Sequence, residues 1–495
     1  MRDFFYRPID GYVGDVIPYY ENGIFYLYYL HAHRNPEKYG EGTSWYLITT
    51  SDFVHYTEFG EVLPHATKEY QDLNAFTGSI IKQKDTYYLY YTGYNAYEQY
   101  CSHDVPLQAI MLAVSKDLIK WEKLPQYTFY TSDDIYEMSD WRDPFVFKNE
   151  ATGKYCMLIA ARENKGPMRR RGCIGLCTSE NLLDWNIESP FFSPGLYMTH
   201  ECPEVFQMGD WWYLIYSTFS ERFATHYRMA KFVNGPWIVP EDDTIDGRGF
   251  YAGKTASDGE KRYIFGWIPT KQGKNDFAEY EWAGNLIVHE LRQNQDGTLS
   301  VCIPDSVESY FGKKIAMNLS RSFGECTISE SSSYMNVPAA FGAVLSERDL
   351  PLRCKITCQM QFEEGTKGFG IMLKSDENFD VSYYIRLEPC MNRMVFDMWP
   401  RKIKKAEEDT WEINGDKAFF VELERPCELK SREIHKVTII LDDTMCGIYL
   451  DGKKTMSVRM YRIRNGKLGF FASEGTVHLL DFGVYVPNEQ QEEMR

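Results

Sequence analysis

Tyr87-Tyr88-Leu89-Tyr90-Tyr91 nearly repeats Phe25-Tyr26-Leu27-Tyr28-Tyr29, and this pair decides the fold. Looser copies follow at Tyr155-Cys156-Met157-Leu158-Ile159, Trp211-Trp212-Tyr213-Leu214-Ile215-Tyr216 and Arg262-Tyr263-Ile264-Phe265-Gly266. Each run stands beside a hairpin signal: Glu21-Asn22-Gly23, Lys84-Asp85, Thr152-Gly153, Gly209-Asp210 and Asp258-Gly259. Aligned on Leu27, Leu89, Leu158, Leu214 and Ile264, the units step by 62, 69, 56 and 50 residues. Three of them carry a second motif further on: Ser51-Asp52-Phe53-Val54-His55-Tyr56, Ser115-Lys116-Asp117-Leu118-Ile119-Lys120-Trp121 and Ser179-Glu180-Asn181-Leu182-Leu183-Asp184-Trp185. A unit of this length with several short strands is the size of a four-stranded propeller blade with insertions. Five units predict an all-β fold that begins with a five-bladed β-propeller over residues 1–297. Unrelated hairpins stacked in a sandwich would give no reason for a two-part motif recurring in one order.

Asp296-Gly297 closes the fifth unit. Residues 298–325 read as a linker. Beyond them, alternating patterns at 352–362, 368–373, 381–388, 434–441, 446–450 and 467–472 predict a smaller C-terminal β-sandwich over 326–495. Composition agrees with an all-β chain, since aromatics make up 16% of the 495 residues and favour strands. The formal net charge of −17 argues against nucleic acid and anionic membranes as partners and suits a neutral ligand. Without a run of about 18 apolar residues, no membrane span is expected. Residues 1–10 hold no apolar h-region, so a cytoplasmic location is expected. The 12 cysteines form no CxxC pair, and reduced thiols are the expectation.

In a propeller the innermost strand of each blade starts at a shared funnel. Acids at matching positions upstream of the aromatic runs therefore converge. Asp15 lies 12 residues before Leu27, Asp143 lies 15 before Leu158, and Glu201 lies 13 before Leu214. Asp72 and Asn74 stand at 17 and 15 before Leu89. Carboxyl groups converging in this way are the layout of glycoside hydrolysis, in which one is ionised and another is held protonated.

The local sequences resemble one family. Trp141-Arg142-Asp143-Pro144-Phe145 and His200-Glu201-Cys202-Pro203-Glu204 resemble the RDP and EC motifs of glycoside hydrolase family 32, the invertases, inulinases and levanases. Phe76-Thr77-Gly78-Ser79 resembles its FSGS segment, and Tyr251-Ala252-Gly253-Lys254-Thr255 with Phe265-Gly266-Trp267, and Trp282-Ala283-Gly284 with Glu290-Leu291, resemble its fifth-blade motifs. One segment departs. The family's nucleophile sits in Asn-Asp-Pro-Asn-Gly, whereas this chain reads Gly14-Asp15-Val16-Ile17-Pro18, which bears on substrate preference more than on reaction type.

The resemblance implies a retaining hydrolase of terminal β-fructofuranosyl groups from sucrose or short fructo-oligosaccharides. Asp15 is then the nucleophile, Glu201 the general acid and base, and Asp143 the partner of two ring hydroxyls, with Arg142 a donor beside it. Phe76, Trp45 and Trp267 are candidate pocket walls, and Ser79 a candidate hydroxyl partner. A fructosyltransferase would use the same residues. An inverting arabinofuranosidase or xylosidase of family 43 has the same fold but is disfavoured by the Glu201-Cys202 pair, and a non-catalytic sugar-binding propeller would turn one acid away from the funnel. No cofactor and no metal are expected: His31-Ala32-His33 puts two imidazoles on one strand face but lacks a third ligand of matching spacing. Arg169-Arg170-Arg171 reads as a solvated loop. The small sugar is the expected partner, and homo-oligomerisation through the sandwich stays open.

Overall fold

The computed structural model describes residues 4–97, 106–131, 134–399 and 423–488. The chain falls into two compact units, one of residues 1–245, 250–267 and 282–299, the other of 246–249, 268–281 and 300–495.

The first unit is the five-bladed propeller. Blade one holds β1 (Tyr12–Glu21), β2 (Ile24–Ala32), β3 (Trp45–Thr50) and β4 (Thr57–Leu63). Blade two holds β5 (Asn74–Gln83), β6 (Thr86–Tyr94), β7 (Gln108–Ser115) and β8 (Glu122–Lys123). Blade three holds β9 (Tyr136–Lys148), β10 (Tyr155–Glu163), β11 (Gly172–Ser179) and β12 (Asn186–Phe192). Blade four holds β13 (Glu201–Met208), β14 (Trp211–Thr218) and β15 (Ala224–Ala230), with Ile238 bridging Met229 at its outer edge. Blade five holds β16 (Tyr251–Ser257), β17 (Arg262–Lys271) and β18 (Tyr280–Gln293). Neighbouring strands within each blade are antiparallel, and β1 pairs with β18 at Val13 and Gly284, which links the last blade to the first.

The two repeated motifs meet in the structure. In the second motif a hydroxyl and an Asx side chain close one tight turn. Ser115 Oγ accepts from the Asp117 and Leu118 amides, and Asp117 Oδ1 accepts from those of Ile119 and Lys120. Ser179 with Asn181 repeats this pattern, and so does Thr50 with Asp52, so that the first copy starts one residue earlier than Ser51. The turn puts Phe53, Leu118 and Leu182 at φ of 60°, 65° and 67°. The aromatic run of the preceding blade then locks onto it: Tyr28 donates to the Leu118 carbonyl at 2.5 Å, and Tyr90 donates to that of Leu182. The tyrosines therefore hold one blade in register with the next, while their rings fill the space between. Leu30, Leu47, Leu89 and Tyr91 pack one such layer, and Tyr90, Leu112, Trp141 and Ile159 the next, all 2% exposed or less.

The second unit is a β-sandwich. It contains β20 (Lys313–Ile315), β21 (Leu319–Phe323), β22 (Cys326–Ile328), β23 (Ser333–Asp349), β24 (Arg353–Phe362), β25 (Gly368–Ser375) and β26 (Ser382–Glu388). It continues with β27 (Arg393–Trp399), β28 (Leu423–Pro426), β29 (His435–Asp442), β30 (Met445–Leu450), β31 (Lys454–Arg459) and β32 (Lys467–Val486). The long β32 belongs to both layers, its residues 467–473 pairing with β25 and 477–485 with β24. Ile371, Ile385, Ile439, Ile448, Leu468 and Phe470 lie fully buried between the layers. Two excursions from the propeller sequence belong here. Asp276 accepts from the Tyr461 and Arg462 amides at 2.7 and 3.0 Å, and Asp246 from the Ser457 amide and hydroxyl at 2.9 and 2.6 Å. The stretch 298–325, expected as a linker, instead carries a strand at Leu299–Cys302, a short helix at Asp305–Tyr310, β20 and β21. Strands of three to five residues are too short for their alternation to show in the sequence. Among the described residues no helix is long and apolar enough to cross a membrane.

Candidate active site

The innermost strands share one irregularity. Against its neighbour, β1 slips in register between Val13 and Val16, β5 between Phe76 and Gly78, β9 between Arg142 and Phe145, β13 between Glu201 and Glu204, and β16 between Tyr251 and Lys254. Each break inserts one extra residue, and a bulge of this kind bends a strand and re-aims the side chains beside it. Asp143, Cys202 and Ala252, within three of these breaks, take φ of 57°, 50° and 54°, a costly conformation for residues with a Cβ. Asp15, Asp143 and Glu201 stand in or next to the bulges of blades one, three and four. Matched spacing to the aromatic runs thus reflects matched bulges at one end of the propeller.

The three acids meet through shared partners. The Cys202 amide donates to Asp143 Oδ2 at 3.0 Å, and its thiol lies 3.8 Å from both Asp143 Oδ2 and Asp15 Oδ2. Asp15 accepts from Thr77 Oγ1 at 2.5 Å and from Trp267 Nε1 at 3.1 Å. Glu201 accepts from Arg142 Nη2 at 3.0 Å and from the Tyr251 hydroxyl at 2.6 Å. A relay joins three blades behind the acids: the Asp143 amide donates to Thr92 Oγ1, Thr92 donates to the Thr77 carbonyl, and Thr77 donates to Asp15. Asp143 is buried, whereas Asp15 and Glu201 keep a partial opening to solvent.

Burial raises all three carboxyls above their ordinary values. For Asp15 the hydrogen bonds from Thr77 and Trp267 pull back, while the charge of Glu201 adds to the rise. For Asp143 Arg142 pulls back and Asp15 adds. For Glu201 Arg142 and the Tyr251 hydroxyl pull back and Asp143 adds. Lys254, 1% exposed, supplies a second buried cation that acts on Asp15 and Asp143. Three carboxyls thus face two buried cations, one of them, Arg142, shared with Asp140, and a proton kept on one carboxyl relieves the excess negative charge. An ionised acid beside a protonated one is the division of labour that acid-assisted glycosyl transfer requires.

The sequence expectations divide. Arg142 reaches Glu201 and also Asp140 at 2.6 Å and Thr199 at 3.0 Å. Trp267 is in the site, but as a buried donor to Asp15 and not as an open wall, at 1% exposure. Phe76 is half-buried and stacks on Tyr94, with ring centroids 5.4 Å apart. Trp45 and Ser79 are corrections. Trp45 is fully buried and its Nε1 donates to the Ala75 and Phe76 carbonyls, both at 3.1 Å, so its ring is core. Ser79 Oγ accepts from the Val146 amide at 2.9 Å and joins blade two to blade three. Asp72 is committed to Tyr91 and Lys123, at 2.9 and 2.5 Å. In the basic loop, Arg171 bonds Glu137 and Arg170 bonds the Leu196 carbonyl.

Sequence reasoning quoted Thr77 and Tyr251 inside family-like motifs without giving either a role, and missed Thr92, which has no signal beyond its place on the strand beside a bulge. It also left Gly14 unexplained. A Cβ at Gly14 would lie 2.7 Å from the Trp282 ring, so glycine here lets that ring approach the segment that carries Asp15. Trp282 is 43% exposed and packs edge-on to Trp267, with centroids 6.5 Å apart.

The model of the family 32 glycosyl hydrolase N-terminal domain matches residues 7–301. The chain belongs to glycosyl hydrolase family 32. It is similar to a levanbiose-producing levanase of Geobacillus stearothermophilus, 25% identical over 320 residues that cover 57% of this chain and 74% of the relative. A sucrose-6-phosphate hydrolase of Bacillus subtilis is 26% identical over 476 residues, 89% of this chain and 85% of the relative. Among solved structures, fructan 1-exohydrolase IIa of Cichorium intybus in complex with 1-kestose superposes with a TM-score of 0.74 over 99% of this chain and 97% of that one. At 14% identity that likeness speaks for the fold. A propeller with three clustered carboxyls is how this family 32 chain presents its chemistry.

Proposed function

We propose that the protein is a retaining β-fructofuranosidase acting on sucrose or short fructo-oligosaccharides. The observation that carries the proposal is the convergence of Asp15, Asp143 and Glu201 on shared partners at one end of the propeller. Asp15 is held by two donors, Thr77 and Trp267, that favour its carboxylate form. Glu201 is pushed up by burial and by the charge of Asp143, against the pull of Arg142 and of the Tyr251 hydroxyl.

In the first step the Asp15 carboxylate attacks C2 of the fructofuranosyl group. The bond from C2 to the leaving oxygen breaks, and Glu201 delivers its proton to that oxygen. The product is a fructosyl ester on Asp15. In the second step water attacks C2, Glu201 takes the water proton, and Asp15 leaves as carboxylate. Asp143, oriented by the Cys202 amide, accepts hydrogen bonds from ring hydroxyls, and Arg142 holds Glu201 in place. Trp282 offers an exposed ring face to a sugar. Scattered cysteines without a CxxC pair fit a reducing, cytoplasmic location.

Initial rates with sucrose, sucrose 6-phosphate, 1-kestose, levan, inulin and an aryl arabinofuranoside test the substrate class. Product anomers read early by NMR test the stereochemistry. β-Fructofuranose appearing first from sucrose or 1-kestose is expected. The inverted anomer appearing first, or cleavage of the arabinofuranoside alone, overturns the proposal.

A further inference from the structure

A second cluster of ionisable groups lies in blade one, apart from the hydrogen bonds that join the three acids. His31, the penultimate residue of β2, pairs with Val13, and His33 follows it by two residues. The sequence showed these two imidazoles without a third ligand. The structure brings up Asp10, from the turn that precedes β1. One ligand atom from each of Asp10, His31 and His33 lies within 4.8 Å of the others. His31 Nε2 stands 3.4 Å from Asp10 Oδ1, and His33 Nδ1 stands 3.9 Å from Asp10 Oδ2. Tetrahedral coordination with bonds of about 2.0–2.1 Å spaces its donors about 3.3–3.4 Å apart. The first distance already meets that spacing; the second runs to the other carboxylate oxygen, and rotation of the His33 ring and the Asp10 carboxylate, 20% and 45% exposed, brings both imidazoles onto one oxygen.

Further observations point to a ligand. His31 is 2% exposed, yet neither ring nitrogen makes a hydrogen bond of good geometry. A buried imidazole without such bonds is costly and calls for a partner. Gly11 keeps the space before His31 clear, since a Cβ there would come 2.3 Å from Nε2. His31 packs against Tyr46 at 4.2 Å and His33 stacks on Tyr39 at 4.0 Å, which orients both rings, while His33 Nδ1 also lies 3.3 Å from the Asp10 carbonyl. Asp10, 45% exposed at its side chain, leaves an entry path and room for water as a fourth ligand.

We propose that Asp10, His31 and His33 bind one late first-row divalent cation of the Zn2+, Co2+ or Ni2+ class, completed by water. Two imidazoles and one carboxylate select such ions over Ca2+ and Mg2+, which prefer all-oxygen shells. The ion ties the turn before β1 to the end of β2, five residues before Asp15 in the chain. It takes no part in the two chemical steps above, and the site stands or falls independently of the fructosidase reading.

The test is a Co2+ titration of the untagged full-length chain after chelator treatment, followed by visible absorption and then by competition with Zn2+. One Co2+ per chain is expected, with tetrahedral d–d bands, no thiolate charge-transfer band, and displacement by Zn2+. His33→Gln and Asp10→Asn, at partly exposed positions, each weaken binding at least about 10-fold while circular dichroism and thermal melts match the wild type. No stoichiometric binding, a thiolate band, or unchanged affinity in both variants overturns the proposal.

Discussion

Removing one hydroxyl, in Thr77→Val, probes the ionisation of Asp15 with little change in shape. Thr77 is fully buried, and its Oγ1 donates to Asp15 Oδ2 at 2.5 Å. Valine keeps the β-branch and deletes only the donor. A hydrogen bond to a charged group contributes about 1.5–3 kcal/mol net. Because this bond favours the carboxylate and opposes the rise caused by burial, losing it leaves Asp15 protonated to higher pH. The nucleophile must be ionised, so the acid limb of kcat/KM moves toward neutral pH. At a fixed pH on that limb the rate falls by roughly 10- to 150-fold, at one decade per 1.36 kcal/mol. On the plateau above it the change is smaller, because Trp267 still orients the carboxylate. The basic limb, which reports Glu201 in this mechanism, stays in place. Initial fructose release from sucrose across the pH range measures both limbs in one series. An acid limb that coincides with the wild type, or a shift confined to the basic limb, refutes the assignment of Asp15 as the ionised nucleophile.

Other expectations follow from the same geometry. Tyr251→Phe removes a donor that favours ionised Glu201, so the general acid keeps its proton to higher pH and the basic limb of kcat/KM moves up, whereas an unmoved or lowered limb contradicts the role of Glu201. Asp143→Asn raises Tm at neutral pH while activity collapses. The folded-state value of Asp143 is raised above its ordinary 3.8, so the wild type loses stability as pH climbs from that value through the raised one, and the advantage of asparagine should vanish at lower pH. A Tm below that of the wild type at neutral pH counts against this electrostatic reading. Tyr90→Phe leaves the Leu182 carbonyl without its cross-blade donor, a loss of about 1–3 kcal/mol read by chemical denaturation, and unchanged stability would argue that the tyrosine rings alone hold the blades.

Much of this architecture was legible because a propeller repeats. The runs at Phe25 and Tyr87 recur because each places a tyrosine on the next blade's turn, and Asp15, Asp143 and Glu201 share a spacing because the innermost strands bulge at equivalent places. The bulges themselves were invisible, since one extra residue leaves no mark in the alternation. Thr77 and Tyr251 were left without a role for that reason. Ser79 was misread because neighbouring blades cover both faces of the inner strands, and Trp45 because it starts β3, where its ring packs against the inner strand of blade two. Asp10 was out of reach because its contact with His31 crosses from a turn to a neighbouring strand, a proximity that spacing along the chain does not encode.

The central claim is a covalent fructosyl ester on Asp15, and trapping it tests the account most directly. In Glu201→Gln a fructoside with a good leaving group still forms the ester, because its departure needs no proton, while the second step lacks its base. Acid quenching followed by peptide mass mapping is predicted to find one fructosyl group on the peptide that contains Asp15, and none in the double variant that also carries Asp15→Asn. Continued turnover with no adduct, or an adduct on any other residue, contradicts the mechanism.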